Sequence, residues 1–284
     1  MKNCQTIIFS RNRALQLHLC LTTLLNHCED IIEVSNVTVL YRNDPIHEPS
    51  YDILMSEFPQ ISFRKEENFK KDLLNLLSNE SNISWDKNEK STPTYAMFVT
   101  DDTIFTGDFS MKQVISTLIE NNDCIGFSLR LGNNTNYCFS LDNFQEIPKT
   151  QELNNNILKY NWTNSQYDFG YSLELSSSVY PLENIIEILI NCDYSSPNTL
   201  ESVLSSCCLE YKPELLMFKN SLAFSAPLNL VQVTHKNRNA GHDPDTFRRL
   251  YEKGIRFDDK QFDKIVTNSA HWIPENIEVI NINE

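Results

Sequence analysis

The sequence predicts an α/β fold built on a mainly parallel sheet with helices on its faces. Short apolar runs of strand length alternate with longer apolar segments of helix length through the first half of the chain. Polar residues follow these apolar runs at once, as they do where the strands of an open sheet end. With 284 residues, 40% of them hydrophobic, the chain can form a large core.

The charge balance limits the partners of the chain. Its formal net charge is −14, which argues against general binding to nucleic acid or to an anionic membrane surface. The first apolar run, Ile7–Phe9, is too short for a signal peptide or a transmembrane segment. We therefore expect a soluble, cytoplasmic protein, with peripheral membrane association left open. The eight cysteines form no CxxC pair, so we expect reduced thiols and no zinc cage.

The first structural unit has the pattern of a nucleotide-binding segment. A strand at Gln5–Phe9 is followed by the polar turn Ser10–Arg13 and by an apolar helical segment from Leu15. This order opens a Rossmann-type unit, but the glycine fingerprint is missing, so NAD and FAD are not expected. The turn instead carries Arg11 and Arg13, whose guanidinium groups suit phosphate oxygens. A solvated basic turn is the alternative.

Strands and helices continue in alternation after this unit. Apolar patterns predict strands at Val37–Tyr41 and Ile61–Phe63, and helices at Tyr51–Phe58 and Phe69–Leu77. The polar stretch 79–92 predicts a surface loop. A fourth strand should therefore follow near residue 95.

This fourth apolar run ends in two adjacent carboxylates. Ala96–Val99 has the composition of a buried strand, and Asp101 and Asp102 follow it almost directly. Acidic side chains at the end of a core strand are costly unless something neutralises them, and a divalent cation is a common partner of such oxygen ligands. The alternative is that one acid caps a turn, since Asp is a favoured turn residue.

The order of these features resembles the N-terminal half of glycosyltransferases with the GT-A fold, particularly the family 2-like bacterial enzymes. In that family an acidic DxD motif after the fourth strand holds a divalent metal on the donor diphosphate. The matching positions here are Thr100-Asp101-Asp102-Thr103, which lack the strict Asp-x-Asp spelling. The resemblance implies Mn²⁺ or Mg²⁺ on Asp102. It implies that Asp101 contacts the sugar or the ribose. Which of the two acids has which role is left open.

The resemblance also implies a donor-binding half and an acceptor-binding half within one continuous domain. Residues 1–130 would bind a nucleotide-sugar, a UDP- or GDP-sugar in the first place. Residues 131–284 would bind the acceptor, which is expected to be a saccharide, a lipid-linked sugar or a protein. Donor contacts are expected from the polar residues that follow the first two strands, namely Ser10, Arg11, Arg13 and Arg42.

The second half of the chain has a less regular pattern. It predicts a helix at Asp108–Glu120, a strand at Cys124–Leu131 and a helix at Leu182–Ile190. The stretch 146–161 is polar and irregular. It predicts a mobile flap over the site, because functional loops of this kind lie at the surface.

Aromatic side chains crowd the beginning of the stretch from Trp162 to Tyr180. Trp162, Phe169 and Tyr171 lie near Asp168 in the sequence. Sugars are often bound by stacking on aromatic faces, and the resemblance implies acceptor recognition in this half. Trp162 and Tyr171 are therefore candidate acceptor-binding residues. Ordinary packing of aromatic rings in the core is the alternative.

Glu201 is the main candidate for a catalytic carboxylate. The resemblance implies that, in inverting enzymes, a carboxylate near a helix start deprotonates the acceptor hydroxyl. General-base chemistry needs an ionised acid held close to that hydroxyl. Asp168 and Glu174 are weaker candidates for the same role. The alternative is structural: with Asn198 as N-cap, Glu201 would complete a capping box.

The C-terminal part supplies further candidate ligands. Leu228–Thr234 predicts a late strand, and a polar segment with two histidines follows. The resemblance implies a C-terminal loop that closes over the diphosphate and, in some members, a histidine ligand of the metal. His235 and His242 suit that role, and Lys236 and Arg238 suit phosphate. An unliganded surface histidine is the alternative.

Three classes of function compete at this point. The first is a metal-dependent glycosyltransferase that moves a sugar from a nucleotide-diphosphate sugar to an acceptor hydroxyl. The second is a nucleotidyltransferase that makes sugar nucleotides, a class that usually opens with a glycine-rich loop. The Ser10–Arg13 turn contains no glycine, which counts against that class. The third is a non-catalytic carbohydrate-binding protein with the same fold.

Overall fold

The computed structural model describes residues 2–78, 94–154, 156–206, 212–231 and 238–283. Within these ranges the strands are β1 (Cys4–Arg11), β2 (Ser35–Arg42), β3 (Ser62–Lys65), β4 (Tyr95–Thr100), β5 (Thr103–Phe105), β6 (Cys124–Ser128), β7 (Tyr137–Cys138), β8 (Asn143–Phe144), β9 (Thr150–Glu152), β10 (Ile157–Asn161), β11 (Ser178–Pro181), β12 (Glu214–Phe218), β13 (Ala223–Ser225), β14 (Ile255–Phe257) and β15 (Val279–Asn281). The α-helices are α1 (Ala14–His27), α2 (Ile31–Val34), α3 (Glu48–Glu57), α4 (Phe69–Leu77), α5 (Met111–Glu120), α6 (Tyr167–Gly170), α7 (Leu182–Asn191), α8 (Pro197–Ser206) and α9 (Pro244–Glu252).

The central sheet takes strands from both halves of the chain. In the described residues it has nine strands, in the order β3-β2-β1-β4-β11-β6-β12-β10-β9. Neighbours among β3, β2, β1 and β4 pair in parallel, and so do β6 and β12. The β11 strand runs antiparallel to both β4 and β6. The predicted α/β fold with a mainly parallel sheet is thus confirmed.

Two apolar clusters cover the two faces of this sheet. Neighbouring residues alternate between them, because successive side chains of a strand point to opposite faces. On β1 and β4, Ile8 and Val99 belong to one cluster, whereas Ile7 and Phe98 belong to the other. The helices α1, α3 and α5 pack in the first cluster and α4, α7 and α8 in the second. None of the helices in the described part has the length and apolar content needed to span a bilayer.

The parallel pairing of β1 with β4 determines where the polar residues meet. Phe9 lies opposite Thr100 in the register of the two strands, and the amide of Asp101 donates to the carbonyl of Phe9 at 3.0 Å. The turn after β1 and the acid pair after β4 therefore emerge side by side at the carboxyl ends of the strands. This is the edge where open α/β sheets bind ligands.

The prediction of a mobile flap at 146–161 is wrong. This stretch contains β9 and β10, which pair with each other and extend the central sheet beyond β12. The β10 strand buries Leu158 and Tyr160, while Lys159 between them pairs with Asp123 at 2.5 Å. Its apolar pattern is short, and the exposed edge strand β9 beside it is polar throughout. The polar composition of the stretch therefore gave no indication of the two strands.

The predicted strand at Leu228–Thr234 is also wrong for the part that the structure describes. Residues 228–231 are irregular, and 232–234 lie outside the described residues, as does the predicted loop at 79–92. The amide of Leu228 donates to the carbonyl of Ala226 at 2.8 Å, which folds the chain back on itself. Asn229 then binds the side chain of Arg13 through both its amide oxygen and its backbone carbonyl.

Candidate active site

A cavity of about 630 Å³ lies at the carboxyl ends of the parallel strands. It brings together residues that are far apart in the sequence, from the turn after β1 to the C-terminal part. Most of the predicted site residues line it, namely Ser10, Arg11, Arg13, Arg42, Asp101, Asp102, Asp168, Tyr171, Glu201 and Arg238.

The turn after β1 is held by a pair of reciprocal hydrogen bonds. Asn12 has φ 53°, a left-handed conformation that Asn tolerates better than most residues. Its Nδ2 donates to Asp44 Oδ2 at 2.7 Å, and its Oδ1 accepts from the Asp44 amide at 2.9 Å. The hydroxyl of Ser10 lies 2.7 Å from the hydroxyl of Tyr51. This fixed turn leaves the side chain of Arg11 exposed at the cavity.

Arg13 binds both carboxylates of the acid pair. Its Nη1 donates to Asp101 Oδ1 at 2.9 Å and to Asp102 Oδ2 at 3.1 Å. Its Nε and Nη2 donate to the side-chain and backbone oxygens of Asn229 at 2.7 and 2.6 Å. From the sequence we expected Arg13 to bind phosphate and a metal to neutralise the two acids. In the structure Arg13 supplies part of that neutralisation, and its contact with phosphate stays a prediction.

The two acids of the pair differ in their surroundings. Asp101 is 4% exposed, and its second oxygen accepts the amide of Arg11 at 3.0 Å. Burial raises the pKa of Asp101, while the charge of Arg13 opposes that shift. Asp102 lines the cavity, and its Oδ1 accepts no hydrogen bond from the described residues. Asp102 is therefore the acid with an oxygen available to a ligand.

His271 is a cavity residue that the sequence analysis missed. It follows a segment without periodicity, so only the three-dimensional structure reveals its place. Burial, with the charge of Arg130 acting in the same direction, lowers the pKa of His271 to about 4. Its Nδ1 is buried without a hydrogen-bond partner in the described residues. A neutral imidazole of this kind is a good metal ligand.

The cavity offers only a few protein side chains that suit a divalent cation. No group of three or more His, Cys, Asp or Glu side chains in the described ranges is placed to hold a metal. Mg²⁺ is often bound through only one or two carboxylates, with substrate phosphates and water as the other ligands. Asp102 and His271 both line the cavity and fit a site of that kind.

The carboxylate of Glu201, on α8, also lines the cavity. The predicted capping box is wrong, because the helix begins at Pro197 and Ser196 Oγ accepts the amide of Thr199 at 3.3 Å. Glu201 therefore lies in the second turn, and its Oε1 accepts the amide of Leu175 at 3.3 Å. Burial raises the pKa of Glu201 to about 7, which is suitable for a group that exchanges protons near neutral pH.

Arg130 and Glu174 form a buried pair next to Glu201. Arg130 is 3% exposed and lines the cavity, and its Nε lies 3.5 Å from Glu174 Oε2. Glu174 also accepts hydrogen bonds from the Ser176 amide and the Ser178 hydroxyl. Burial acts to lower the pKa of Arg130, but Glu174 and the neighbouring acids outweigh it, so the pKa is raised. Sequence analysis missed Arg130, because it lay inside a predicted strand.

Asp168 is held against Gln145 at the cavity wall. Gln145 Nε2 donates to Asp168 Oδ2 at 3.2 Å, and Gln145 Oε1 accepts the Asp168 amide at 3.1 Å. Both residues are buried, which fixes the carboxylate beside the cavity. Tyr171 follows α6 and lines the same wall.

Two predicted residues lie elsewhere. Trp162 does not line the cavity: it is 9% exposed, packs in a core cluster and donates from Nε1 to the Lys212 carbonyl at 2.7 Å. Its assignment to acceptor binding is therefore wrong, and core packing is correct. His242 packs against Phe247, with ring centroids 5.1 Å apart, and does not line the cavity.

The remaining C-terminal candidates are divided between the cavity rim and the undescribed part of the chain. His235 and Lys236 lie outside the described residues. Arg238 lines the rim, where its Nη1 donates to the Phe139 carbonyl at 2.7 Å and lies 3.1 Å from Asp142 Oδ1. Phosphate binding by Arg238 stays a prediction.

Structural neighbours were found at low sequence identity. Staphylococcus aureus TarS is 12% identical, with 80% of this chain and 37% of TarS covered at a TM-score of 0.48. A structure of TarS 1–349 in complex with UDP-GlcNAc is 11% identical, covering 77% of this chain and 56% of that one, with a TM-score of 0.44. The mannosyltransferase PcManGT from Pyrobaculum calidifontis, in complex with GDP-Man and Mn²⁺, is 7% identical, covering 65% and 46%, with a TM-score of 0.36.

The sequence itself matches a curated protein. No family model matches the chain. The bifunctional glycosyltransferase pgtA of Dictyostelium discoideum is 28% identical over an alignment of 202 residues that covers 64% of this chain and 24% of that protein. This chain therefore corresponds to about a quarter of the relative's length. The predicted resemblance to glycosyltransferases is thus confirmed, as a similarity between this chain and one part of a larger glycosyltransferase.

Proposed function

We propose that this chain is a glycosyltransferase that moves a sugar from a nucleotide-diphosphate sugar to an acceptor hydroxyl. The observation that carries the proposal is the arrangement of the cavity. The turn that carries Arg11 and Arg13, the acid pair and the buried carboxylate of Glu201 all line this one cavity. The sequence similarity to a glycosyltransferase supports the same class.

The donor nucleotide would bind at the end of the cavity formed by β1, β2 and the residues after them. Arg11 and Arg42 extend there, with side chains that are exposed and suited to diphosphate oxygens. The apolar walls of this end include Phe9, Leu40 and Phe69, which suit the face of a nucleobase. UDP- and GDP-sugars are the donors to test first.

The acid pair would take part in holding a divalent cation. Asp102 and His271 would supply an oxygen and an imidazole nitrogen, and Arg13 would keep the neighbouring Asp101 ionised. Bound Mn²⁺ or Mg²⁺ supplies Lewis-acid stabilisation of the charge on the leaving diphosphate. Arg13 fixes the position of the two acids, because two of its hydrogen bonds go to them and two go to Asn229.

Glu201 would act as the general base. The acceptor oxygen forms a bond to the anomeric carbon of the donor, and the bond from that carbon to the diphosphate oxygen breaks. Glu201 takes the proton of the acceptor hydroxyl, while the amide of Leu175 holds its Oε1 in place. With a pKa of about 7, the carboxyl can both accept a proton and release it near neutral pH. A single displacement of this kind inverts the anomeric centre.

A thermal-shift screen tests the proposal. The protein is mixed with UDP-, GDP-, CDP- and dTDP-sugars, each with and without Mn²⁺. Ligands that bind only the folded state raise its melting temperature, so we expect a shift with one nucleotide series and a larger shift with Mn²⁺. A protein that is stabilised by none of these donors at millimolar concentration would contradict the proposal.

A further inference from the structure

Arg130 is a buried cation whose hydrogen-bonding capacity is unused. A guanidinium has five N–H donors. The Nε of Arg130 has no hydrogen-bond partner in the described residues, and neither Nη atom donates to any of them. Glu174 is within ion-pair distance at 3.5 Å, beyond a good hydrogen bond. Leaving the buried Nε unpaired is costly. Arg130 lines the cavity, so a ligand there can supply acceptors for the Nη donors.

The neighbours of Arg130 indicate the chemistry of that ligand. The carboxylates of Asp168, Glu174 and Glu201 all act on its charge. One guanidinium among several carboxylates gives this end of the cavity no excess of positive charge. A ligand carboxylate or phosphate would therefore be repelled. A hydroxyl group suits this mixed environment, since it can accept from the guanidinium and donate to a carboxylate.

We propose that Arg130 binds hydroxyl oxygens of a neutral sugar, and that this end of the cavity discriminates against sugars bearing a carboxylate. The inference rests on the proposed function, because it takes the cavity to be a nucleotide-sugar site. The diphosphate would lie near Arg11 and Arg42, which line the same cavity. The sugar bound by Arg130 is either the one transferred or the one on the acceptor, and the two sources are separable by experiment.

The test compares wild type with Arg130→Met and Arg130→Lys. Calorimetry measures the affinities for UDP, GDP, UDP-glucose, GDP-mannose and UDP-glucuronate, and nucleotide release with p-nitrophenyl glycosides gives an acceptor KM. If Arg130 binds the donor sugar, Arg130→Met weakens the sugar nucleotide by about 10-fold or more, the usual effect of a hydrogen bond to a charged group. The free nucleotide keeps its affinity. If Arg130 binds the acceptor sugar, donor affinity is kept and the acceptor KM rises by a similar factor.

Arg256→Met provides a matched control. Arg256 is also buried, at 2% exposure, and its Nε also lacks a partner in the described residues, but it does not line the cavity. Its replacement should lower stability and leave every affinity unchanged. Should Arg130→Met fail to fold, Arg130→Lys keeps the charge, loses the planar fork and should give the same selective loss.

Two outcomes would overturn the inference alone. One is unchanged sugar-nucleotide affinity together with unchanged acceptor KM in both Arg130 variants. The other applies where the Arg130 variants show that this residue binds the donor sugar: it is wild-type protein that binds UDP-glucuronate as tightly as UDP-glucose. Wild-type protein that binds neither free nucleotides nor sugar nucleotides would overturn the proposed function, and the inference with it.

Discussion

Two arginines that line the cavity, Arg13 and Arg130, differ in how their donors are used. Arg13 makes four hydrogen bonds, to Asp101, Asp102 and twice to Asn229. Arg130 makes none with the described residues, although it too has acidic neighbours. The side chain of Arg13 is 11% exposed and that of Arg130 is 3% exposed, so their donors differ more than their burial does. The comparison teaches that an arginine satisfied by protein groups supports the site, whereas one left unsatisfied is available to a ligand.

The two arginines also differ in the acids near them. Near Arg13, Asp101 is surrounded by donors from Arg11 and Arg13, which favour its ionised form. Near Arg130, Glu201 accepts a hydrogen bond only from the Leu175 amide in the described residues, and burial raises its pKa to about 7. Asp101 is thus suited to holding charge in place, and Glu201 to moving a proton.

The largest expected effect comes from Glu201→Gln. Because Gln cannot accept the proton, transfer should fall by about 10²-fold or more, while donor affinity is kept. The comparison of transfer rate and calorimetric donor affinity checks this. Glu187→Gln, at an exposed site on α7, is the matched control and should behave as wild type. Near-normal transfer in Glu201→Gln would place the base elsewhere, and Asp168→Asn and Glu174→Gln would be measured next.

Asp102→Asn, in the acid pair beside Arg13, should have the next largest effect. The change removes the charge with little change of shape, so Mn²⁺-dependent donor binding should be lost. Asp101 keeps its bond to Arg13, so the fold should remain. Calorimetry with and without Mn²⁺ measures this, with Asp52→Asn at an exposed site as control. Unchanged Mn²⁺ dependence would show that the acid pair is only a partner of Arg13.

Arg13→Lys and Arg11→Lys should distinguish an arginine that stabilises the fold from one that binds the donor. Lys cannot reproduce the planar fork, so Arg13→Lys leaves buried oxygens unpaired and should cost about 1–3 kcal/mol of unfolding free energy. Arg11 has an exposed side chain, so Arg11→Lys should weaken donor binding and leave stability nearly unchanged. Denaturant unfolding and calorimetry on both variants check this. Equal stability of the two variants would contradict the structural role of Arg13.

Glu201 should also produce a pH dependence. Burial raises its pKa from the ordinary 4.5 to about 7, so the folded state binds this proton more tightly than the unfolded state. The stability gained from that proton is complete below the ordinary pKa, and it is lost as pH rises to about 7. Transfer should rise over the same range as the base ionises. Denaturant unfolding at several pH values should show that the free energy of unfolding falls less steeply with pH in Glu201→Gln than in wild type. Identical slopes would contradict the raised pKa of Glu201.

The smallest effect is expected at Ser177, in the segment that carries Glu174. Ser177 has φ 123°, a conformation that favours glycine, and its hydroxyl is buried without a partner in the described residues. Ser177→Gly should therefore stabilise the protein by about 1 kcal/mol, as measured by denaturant unfolding. Destabilisation would show that the hydroxyl, rather than the backbone, determines the role of this position.

Local pattern was enough for the first half of the fold. The apolar runs of β1 and β4 and the polar residues after them are continuous in sequence, so their convergence at one edge of the sheet could be anticipated. The hydrogen bond between Arg13 and Asp101 could not, because the sequence assigned Arg13 to phosphate. Arg130 and His271 could not, because only the sheet topology and the C-terminal segment bring them to the cavity. Trp162 was misassigned because an aromatic ring suits a core as well as a sugar.

The boundaries of elements explain the remaining errors. The capping prediction for Glu201 failed because α8 begins one residue before Asn198. That shift moves the glutamate out of the first turn, where a capping box requires it. The β10 strand was missed because its exposed residues are polar and the strand beside it is polar throughout. Helix starts and edge strands depend on contacts that a single sequence does not contain.

The most direct test of the central claim is the release of nucleoside diphosphate. Wild-type protein is mixed with Mn²⁺, the sugar nucleotide that stabilises it and a panel of glycoside acceptors, and free UDP or GDP is measured. We expect release that depends on an acceptor in the panel and that Glu201→Gln reduces by about 10²-fold or more with donor affinity intact. Tight donor binding with no release for any acceptor would contradict the claim and favour a non-catalytic carbohydrate-binding protein.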